Sequence, residues 1–357
     1  MNTLRVGVIG SGYWGPNLIR NFAELPNAEV VAVADLNPER LNNLQARYPD
    51  LVLTADYRSL FALDLAAVVV ATPPHTHYAI TRDCLLHGLH VLVEKPLALN
   101  SLESQELIEI ARVNGLVLMV GHTFEYNNAV LELRRLIDGG EIGDVYYIDA
   151  VRVNLGLFQP KLNAMWDLAP HDISILLYLI GHDVTSVSAT GSACVFDSIH
   201  DIVYMNLTFG SGVTAHIRVS WLDPNKTRRI TVVGSKKMVV YDDVETSEKI
   251  KIYDKGVERP PYTETFDDFQ CSYRSGNVHI PQINFTEPLR QECQHFVDCI
   301  INRQVPRSNG VVGLNVVKIL EAADWSLHNG SVQQMVQLLP VPEVGAALLQ
   351  QPTQQAA

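Results

Sequence analysis

Three segments of this chain carry residues whose types and spacing suit chemistry. Glu94-Lys95-Pro96 closes the apolar run Leu89-His90-Val91-Leu92-Val93 and so places a lysine at the end of a strand pattern. An ammonium there stabilises negative charge developing on an oxygen, or polarises a carbonyl. In Trp166-Asp167-Leu168-Ala169-Pro170-His171-Asp172, Asp167 and His171 stand four apart, close enough for the carboxylate to orient an imidazole. With an ordinary pKa of about 6.5 such an imidazole can take a proton near neutrality. Pro170 is expected in a first helical turn, which puts His171 and Asp172 at the helix start. The third segment, Gly10-Ser11-Gly12-Tyr13-Trp14-Gly15, follows the apolar run Val6 to Ile9 and precedes a helix-compatible stretch, Asn17 to Leu25. This is the G-x-G-x-x-G context that holds a dinucleotide. Gly10 permits the tight turn, Gly12 admits a pyrophosphate to the backbone, and Gly15 lets helix and strand pack closely. The helix start offers free N–H groups to the phosphates.

The elements around these segments alternate. Val30 to Ala34 ends in Asp35, where a carboxylate accepts hydrogen bonds from ribose hydroxyls and repels a 2′-phosphate. NAD is therefore favoured over NADP, with Arg40 on the next helix as the residue that softens the preference. Asn37-Pro38 opens a helix to about Arg47; Leu65 to Ala71, Val91 to Val93 and Leu116 to Val120 read as strands. Helices are expected over His75 to His87 and Ser101 to Asn114, with Gly88 and Gly115 as stops. The alternation predicts a doubly wound parallel sheet of the Rossmann kind, with ligands at its carboxyl edge. Thr72-Pro73-Pro74-His75 and Glu94-Lys95-Pro96 lie at that edge with the glycine loop.

After residue 122 the pattern changes to a helix over Asn128 to Ile137 and then strands joined by short turns from Val184 to Tyr253. Two helices follow, Glu287 to Asn302, with Thr286 as cap and Pro288 in its first turn, and Val311 to His328. The fold class is α/β: an N-terminal Rossmann domain over 1–122, then an α+β domain over 123–338 with a mainly antiparallel open sheet. Residues 339–357 read as a loose tail.

A chain of 357 residues, 47% hydrophobic, has room for two cores, and no run approaches the length of a membrane span. With no exported-protein signature at its N-terminus it is expected to be soluble and cytoplasmic. The net charge of -12 argues against nucleic-acid or anionic-membrane partners. Cys84, Cys194, Cys271, Cys293 and Cys299 lack metal-site spacing, and His75-Thr76-His77 has no third ligand nearby, so no metal is expected.

Taken together, the glycine loop, Asp35, Ala71-Thr72-Pro73-Pro74, Glu94-Lys95-Pro96, the Asp167/His171 pair and the strand-rich second half resemble the Gfo/Idh/MocA family of NAD(P)-dependent oxidoreductases. The resemblance covers nearly the whole chain. It implies that Lys95 and His171 are catalytic, with Asp167 the acid preceding the histidine, and that the open sheet joins subunits into a homodimer or homotetramer. It implies a cofactor-binding set of Gly10, Ser11, Gly12, Tyr13, Trp14, Gly15, Asp35, Thr72, Pro73, Pro74, His77, Glu94 and Lys95. Arg152-Val153-Asn154-Leu155-Gly156 and Glu287-Pro288-Leu289-Arg290-Gln291-Glu292 further resemble the branch acting on nucleotide-linked hexoses, often at C3. Arg152 and Asn154, alternating on one strand face, are then substrate-binding candidates beside Lys95, Asp167 and His171, with a solvated sheet face as the other reading. Tyr126 and Glu125 face either the pocket or the framework. The expected activity is oxidation of a secondary hydroxyl of a nucleotide-linked hexose. A 3-ketosugar reductase, an inositol or free-sugar dehydrogenase, an NAD-dependent redox glycosidase and a non-catalytic dinucleotide sensor are the alternatives.

Overall fold

Val6, Val8 and Ile9 have almost no solvent exposure, because the strand they form is paired on both sides and covered on both faces. A near-continuous apolar run is the signature of such a central parallel strand. The computed structural model describes residues 3–159, 162–258 and 272–348. It divides into two units, one made of Met1–Tyr126, Thr286–Lys318 and Leu339–Ala357, the other of Asn127–Phe285 and Ile319–Leu338.

The first unit runs β1 (Leu4–Ile9), α1 (Gly15–Ala23), β2 (Ala28–Ala34), α2 (Pro38–Arg47), β3 (Val52–Thr54), β4 (Ala67–Val70), α3 (His77–Leu86), β5 (His90–Glu94), α4 (Ser101–Val113) and β6 (Leu118–Gly121). The sheet is parallel with strand order β3-β2-β1-β4-β5-β6, a Rossmann topology. The strand order, not the strand direction, reverses between β1 and β4, and the crevice at their carboxyl ends is where such sheets bind ligands. Helix ends follow local chemistry: Asn37 Oδ1 accepts from the Glu39 N–H at 2.9 Å, and Gly88 and Gly115 take positive φ after α3 and α4.

The second unit contains α5 (Asn128–Asp138), β7 (Val145–Leu155), α6 (Ala164–Ile180), β8 (Val184–Ser192), β9 (Ile202–Phe209), β10 (Thr214–Ser220), β11 (Leu222–Gly234), β12 (Met238–Asp242), β13 (Ile250–Glu258) and β14 (Ser272–His279). The chain continues with α7 (Pro288–Asn302), α8 (Gly310–His328) and β15 (Gln334–Met335). The nine-stranded sheet has the order β14-β13-β12-β11-β7-β10-β9-β8-β15 and is antiparallel except where β10 runs parallel to β7.

The structure departs from the sequence expectations at four places. First, a single boundary at 122/123 misses that α7 returns to the first unit: its Leu289, Cys293, Phe296 and Val297 join the core beside Leu18 and Phe22 of α1. Phe22 meets Phe296 edge to face at 6.3 Å, and burying that stripe offsets the cost of the long return. Second, Thr286 is not the cap of α7; Glu287 occupies the cap position and its carboxylate is held by Arg20 and Asn21 of α1. Third, Leu339 to Leu348 is not loose. Asn315 exchanges two hydrogen bonds with the Leu339 backbone, and Val305 and Arg303 pair with Gly345, Ala346 and Leu348. The rest of the expected tail, like Cys271, lies outside the described residues. Fourth, α6 starts at Ala164 with Asn163 as cap, so Pro170 is inside the helix and His171 is not at its start. Proline there forgoes one backbone bond, which the buried run Ile173, Ile175, Leu176, Leu177 and Leu179 outweighs.

Candidate active site

Within the first unit, the loops after β1, β4 and β5 meet at the carboxyl edge of the sheet and are tied together by side chains. Gly10 has φ of 97°, and a Cβ on it would lie 2.6 Å from the Ala71 carbonyl oxygen. A Cβ on Gly15 would lie 2.2 Å from the Gly10 carbonyl oxygen, so only glycine lets α1 begin this close to the loop. A Cβ on Gly12 would meet nothing beyond its chain neighbours nearer than Arg40 Nη1 at 3.6 Å, which leaves room for the close approach a pyrophosphate requires. These residues fit a dinucleotide. Tyr13 is exposed, whereas Trp14 packs against the core and donates its indole N–H to Glu94.

Asp35 has one oxygen 2.6 Å from the Ser11 N–H and the other 2.8 Å from the Asn37 N–H, with Arg40 Nη1 at 3.5 Å. The carboxylate thus shapes the glycine loop as well as standing where a ribose is expected. Replacing Asp35 by alanine removes the repulsion of a 2′-phosphate and frees Arg40. The NAD/NADP preference is expected to fall about a hundredfold, from loss of charge-assisted bonds on one side and gain on the other. Titration of both cofactors checks this, and an unchanged ratio would reject the role.

His77 was expected to touch the cofactor, but it is fully buried, with Nδ1 2.8 Å from the Pro96 carbonyl and Nε2 2.8 Å from the Thr72 carbonyl. Burial pushes its pKa down while the two carbonyls pull it up. It fastens the turn after β5 to Thr72, and Thr76 Oγ1 donates to Thr72 Oγ1 at 2.7 Å. Pro73 is exposed and Pro74 partly exposed beside it. Lys95 is half-buried at the end of β5. Glu94 lies with its carboxylate over Gly121, where a Cβ would approach it to 3.0 Å. Burial lifts its pKa to about 7, against the lowering influence of Lys95 and of hydrogen bonds from the Lys95 backbone and Trp14.

Behind this edge lie acids that sequence reading did not assemble. Glu292 of α7 accepts from Thr123 Oγ1 at 2.7 Å, and burial raises its pKa well above the carboxylate range, with Glu94 and Glu125 adding to the rise. Burial lifts Glu125 to about 8, opposed by Arg307. Tyr126, a pocket candidate, is instead buried framework: its hydroxyl is 3.1 Å from Ser308 Oγ and the Arg307 guanidinium covers its ring. A carboxyl with a raised folded pKa gives stability that is full below its ordinary pKa of 4.5 and lost as pH rises through about 8. Glu125→Gln is therefore expected to melt like the parent at about pH 4.5 and several degrees higher above about pH 8, since one pKa unit is about 1.4 kcal/mol. Thermal scans at the two pH values test it; an equal gap at both contradicts the shift.

In the second unit, Asp167 and His171 lie one turn apart on α6, both half-buried. Asp167 Oδ2 accepts from Trp221 Nε1 at 3.1 Å, a contact the sequence did not announce. Arg152, a substrate-binding candidate, is corrected: its side chain is buried and pairs with Asp172 through Nε–Oδ2 at 2.8 Å and Nη2–Oδ1 at 3.0 Å. The face it shares with Ile148 and Ala150 is buried, which was the available signal. Asn154 is partly exposed near the end of β7. Among the described residues no cluster of three or more His, Cys, Asp or Glu forms a metal site, and no helix is long and apolar enough to cross a membrane.

Residues 4–122 match the oxidoreductase family domain with an NAD-binding Rossmann fold of the GFO/IDH/MocA group, and residues 130–240 match the GFO/IDH/MocA C-terminal domain. The UDP-N-acetylglucosamine 3-dehydrogenase of Acidithiobacillus ferrooxidans is 28% identical over 72% of this chain and 79% of its own length. Inositol 2-dehydrogenase 1 of Saccharopolyspora erythraea is 30% identical over 61% of this chain and 67% of its own. A solved structure from Magnetospirillum magnetotacticum, described as that of an oxidoreductase, is 32% identical with a TM-score of 0.76, covering 90% of this chain and 100% of its own.

Proposed function

Because the chain belongs to the GFO/IDH/MocA oxidoreductase family, with NAD as cofactor, we propose that it oxidises a secondary hydroxyl, at C3, of a nucleotide-linked hexose. The observation that carries the reading is the placing of Lys95 on the glycine-loop edge of the sheet, where Trp14 and His77 hold its neighbours Glu94 and Pro96. Likeness to a UDP-N-acetylglucosamine 3-dehydrogenase supports the substrate class.

Bound NAD supplies the hydride acceptor, held by the glycine loop and Asp35. Loss of hydride from carbon demands loss of the hydroxyl proton, and His171 is assigned as the base that takes it. Asp167 is assigned to steady the charge on the imidazole. Lys95 is assigned to stabilise the developing alkoxide and, in the reverse direction, to polarise the ketone. The buried residues Arg152, Tyr126 and His77 are assigned to support rather than contact.

The test mixes protein and NAD with a panel of nucleotide hexoses, inositols and free sugars while NADH absorbance is followed. A signal confined to nucleotide hexoses supports the reading. NADH from inositols or free sugars alone replaces it with the polyol reading that the inositol dehydrogenase likeness favours.

A further inference from the structure

We propose that Trp221 is a positioning residue that orients the Asp167 carboxylate on α6. The indole Nε1 donates to Asp167 Oδ2 at 3.1 Å across 54 residues of chain. An indole N–H donates and never accepts, so this contact has one polarity and selects one oxygen of the carboxylate. The donor's mount is rigid. Trp221 is 1% exposed and sits at the junction of β10 and β11, its N–H bonded to the Asp201 carbonyl and its own carbonyl receiving the Gly156 N–H, both at 2.9 Å.

Gly156 belongs to the same device. A Cβ on it would lie 2.2 Å from Trp221 Cδ1, so the absence of a side chain at the end of β7 creates the place the indole fills. Phe158 packs on the indole at 5.3 Å, and Phe196 packs on Phe158 at 5.6 Å. Here the single polar atom of the side chain is aimed at the carboxylate one helical turn before His171. Holding one oxygen stops rotation about the Asp167 Cβ–Cγ bond and fixes the direction of the second, which is what a base-orienting acid needs.

This proposal rests on the assignment of Asp167 and His171 to proton transfer, and the experiment separates the two ideas. Trp221→Phe keeps the aromatic filling and deletes the N–H; benzothienylalanine at position 221 keeps the bicyclic shape as well and serves if the phenylalanine variant does not fold. Both are combined with Asp167→Asn, and kcat, the KM for NAD and the melting temperature are measured. The expected result is a kcat at least about tenfold lower with KM for NAD and melting temperature near those of the parent, and no further loss in the Asp167→Asn background. A parental kcat without the N–H, or losses that multiply in the double variant, overturns the positioning role while leaving the functional reading in place. A parental kcat in Asp167→Asn alone overturns the assignment of Asp167 to proton transfer, and this proposal with it, while the NADH signal itself still tests the proposed oxidation.

Discussion

Lys95→Met is expected to lower kcat/KM for the sugar about a thousandfold, the usual loss when a preorganised group facing transition-state charge is removed. The loss belongs in kcat, because charge on the substrate oxygen grows only as hydride leaves. Affinity for NAD is expected to hold within about tenfold, since the glycine loop, Asp35 and the Thr72 turn do not depend on the ammonium. The substitution also leaves a mark on its neighbour. Lys95 lowers the Glu94 pKa, which burial holds at about 7, so without the ammonium Glu94 is expected to titrate higher. Carbon-13 NMR of labelled glutamate reads that change independently of turnover. Lys95→Arg keeps the charge but changes its shape and hydration, and only partial rescue is expected. Parental turnover in Lys95→Met would remove the lysine from the mechanism.

The second large effect falls on folding. Arg152 and Asp172 form a two-point ion pair with side chains 4% and 2% exposed, joining β7 to α6. Removing one partner strands a buried charge and costs about 3–5 kcal/mol. Arg152→Met and Asp172→Asn are each expected to lower the urea midpoint of the second unit sharply. The combination Arg152→Met with Asp172→Leu is expected to recover much of that loss, because apolar replacement of both partners is often neutral. Urea titration of the four proteins measures the cycle. Independent, additive losses would show that the pair is not the source. Because Asp172 directly follows His171, folded single variants are also expected to turn over more slowly, which a pair acting on stability alone would not cause.

The candidate residues of the two units differ in how far they could be read in advance. Gly10, Gly12, Gly15, Asp35 and Lys95 were legible because their constraints are local: a turn with positive φ, a close approach at a helix start, and residues at the ends of buried strands. Asp167 and His171 were legible through their spacing, although the reading put the helix start at Pro170 rather than Asn163. Proline usually marks a first turn, and the tertiary burial of α6 overrode that preference. Arg152 was misread because alternation tells which residues share a face but not what covers it. The covering helix, α6, carries the charge that neutralises the arginine.

Composition and local order by themselves determined a Rossmann unit followed by a mainly antiparallel second sheet, and a glycine loop of the dinucleotide-binding kind. Backbone geometry and side-chain period act over a few residues and are written directly in the chain. Only the tertiary structure decided that α7 completes the first core, that Glu292 meets Thr123 across 169 residues, and that Trp221 meets Asp167 across 54. Such contacts are selected by burial, where each polar group must find whatever partner the packing brings to it, and no local pattern of the chain names that partner in advance.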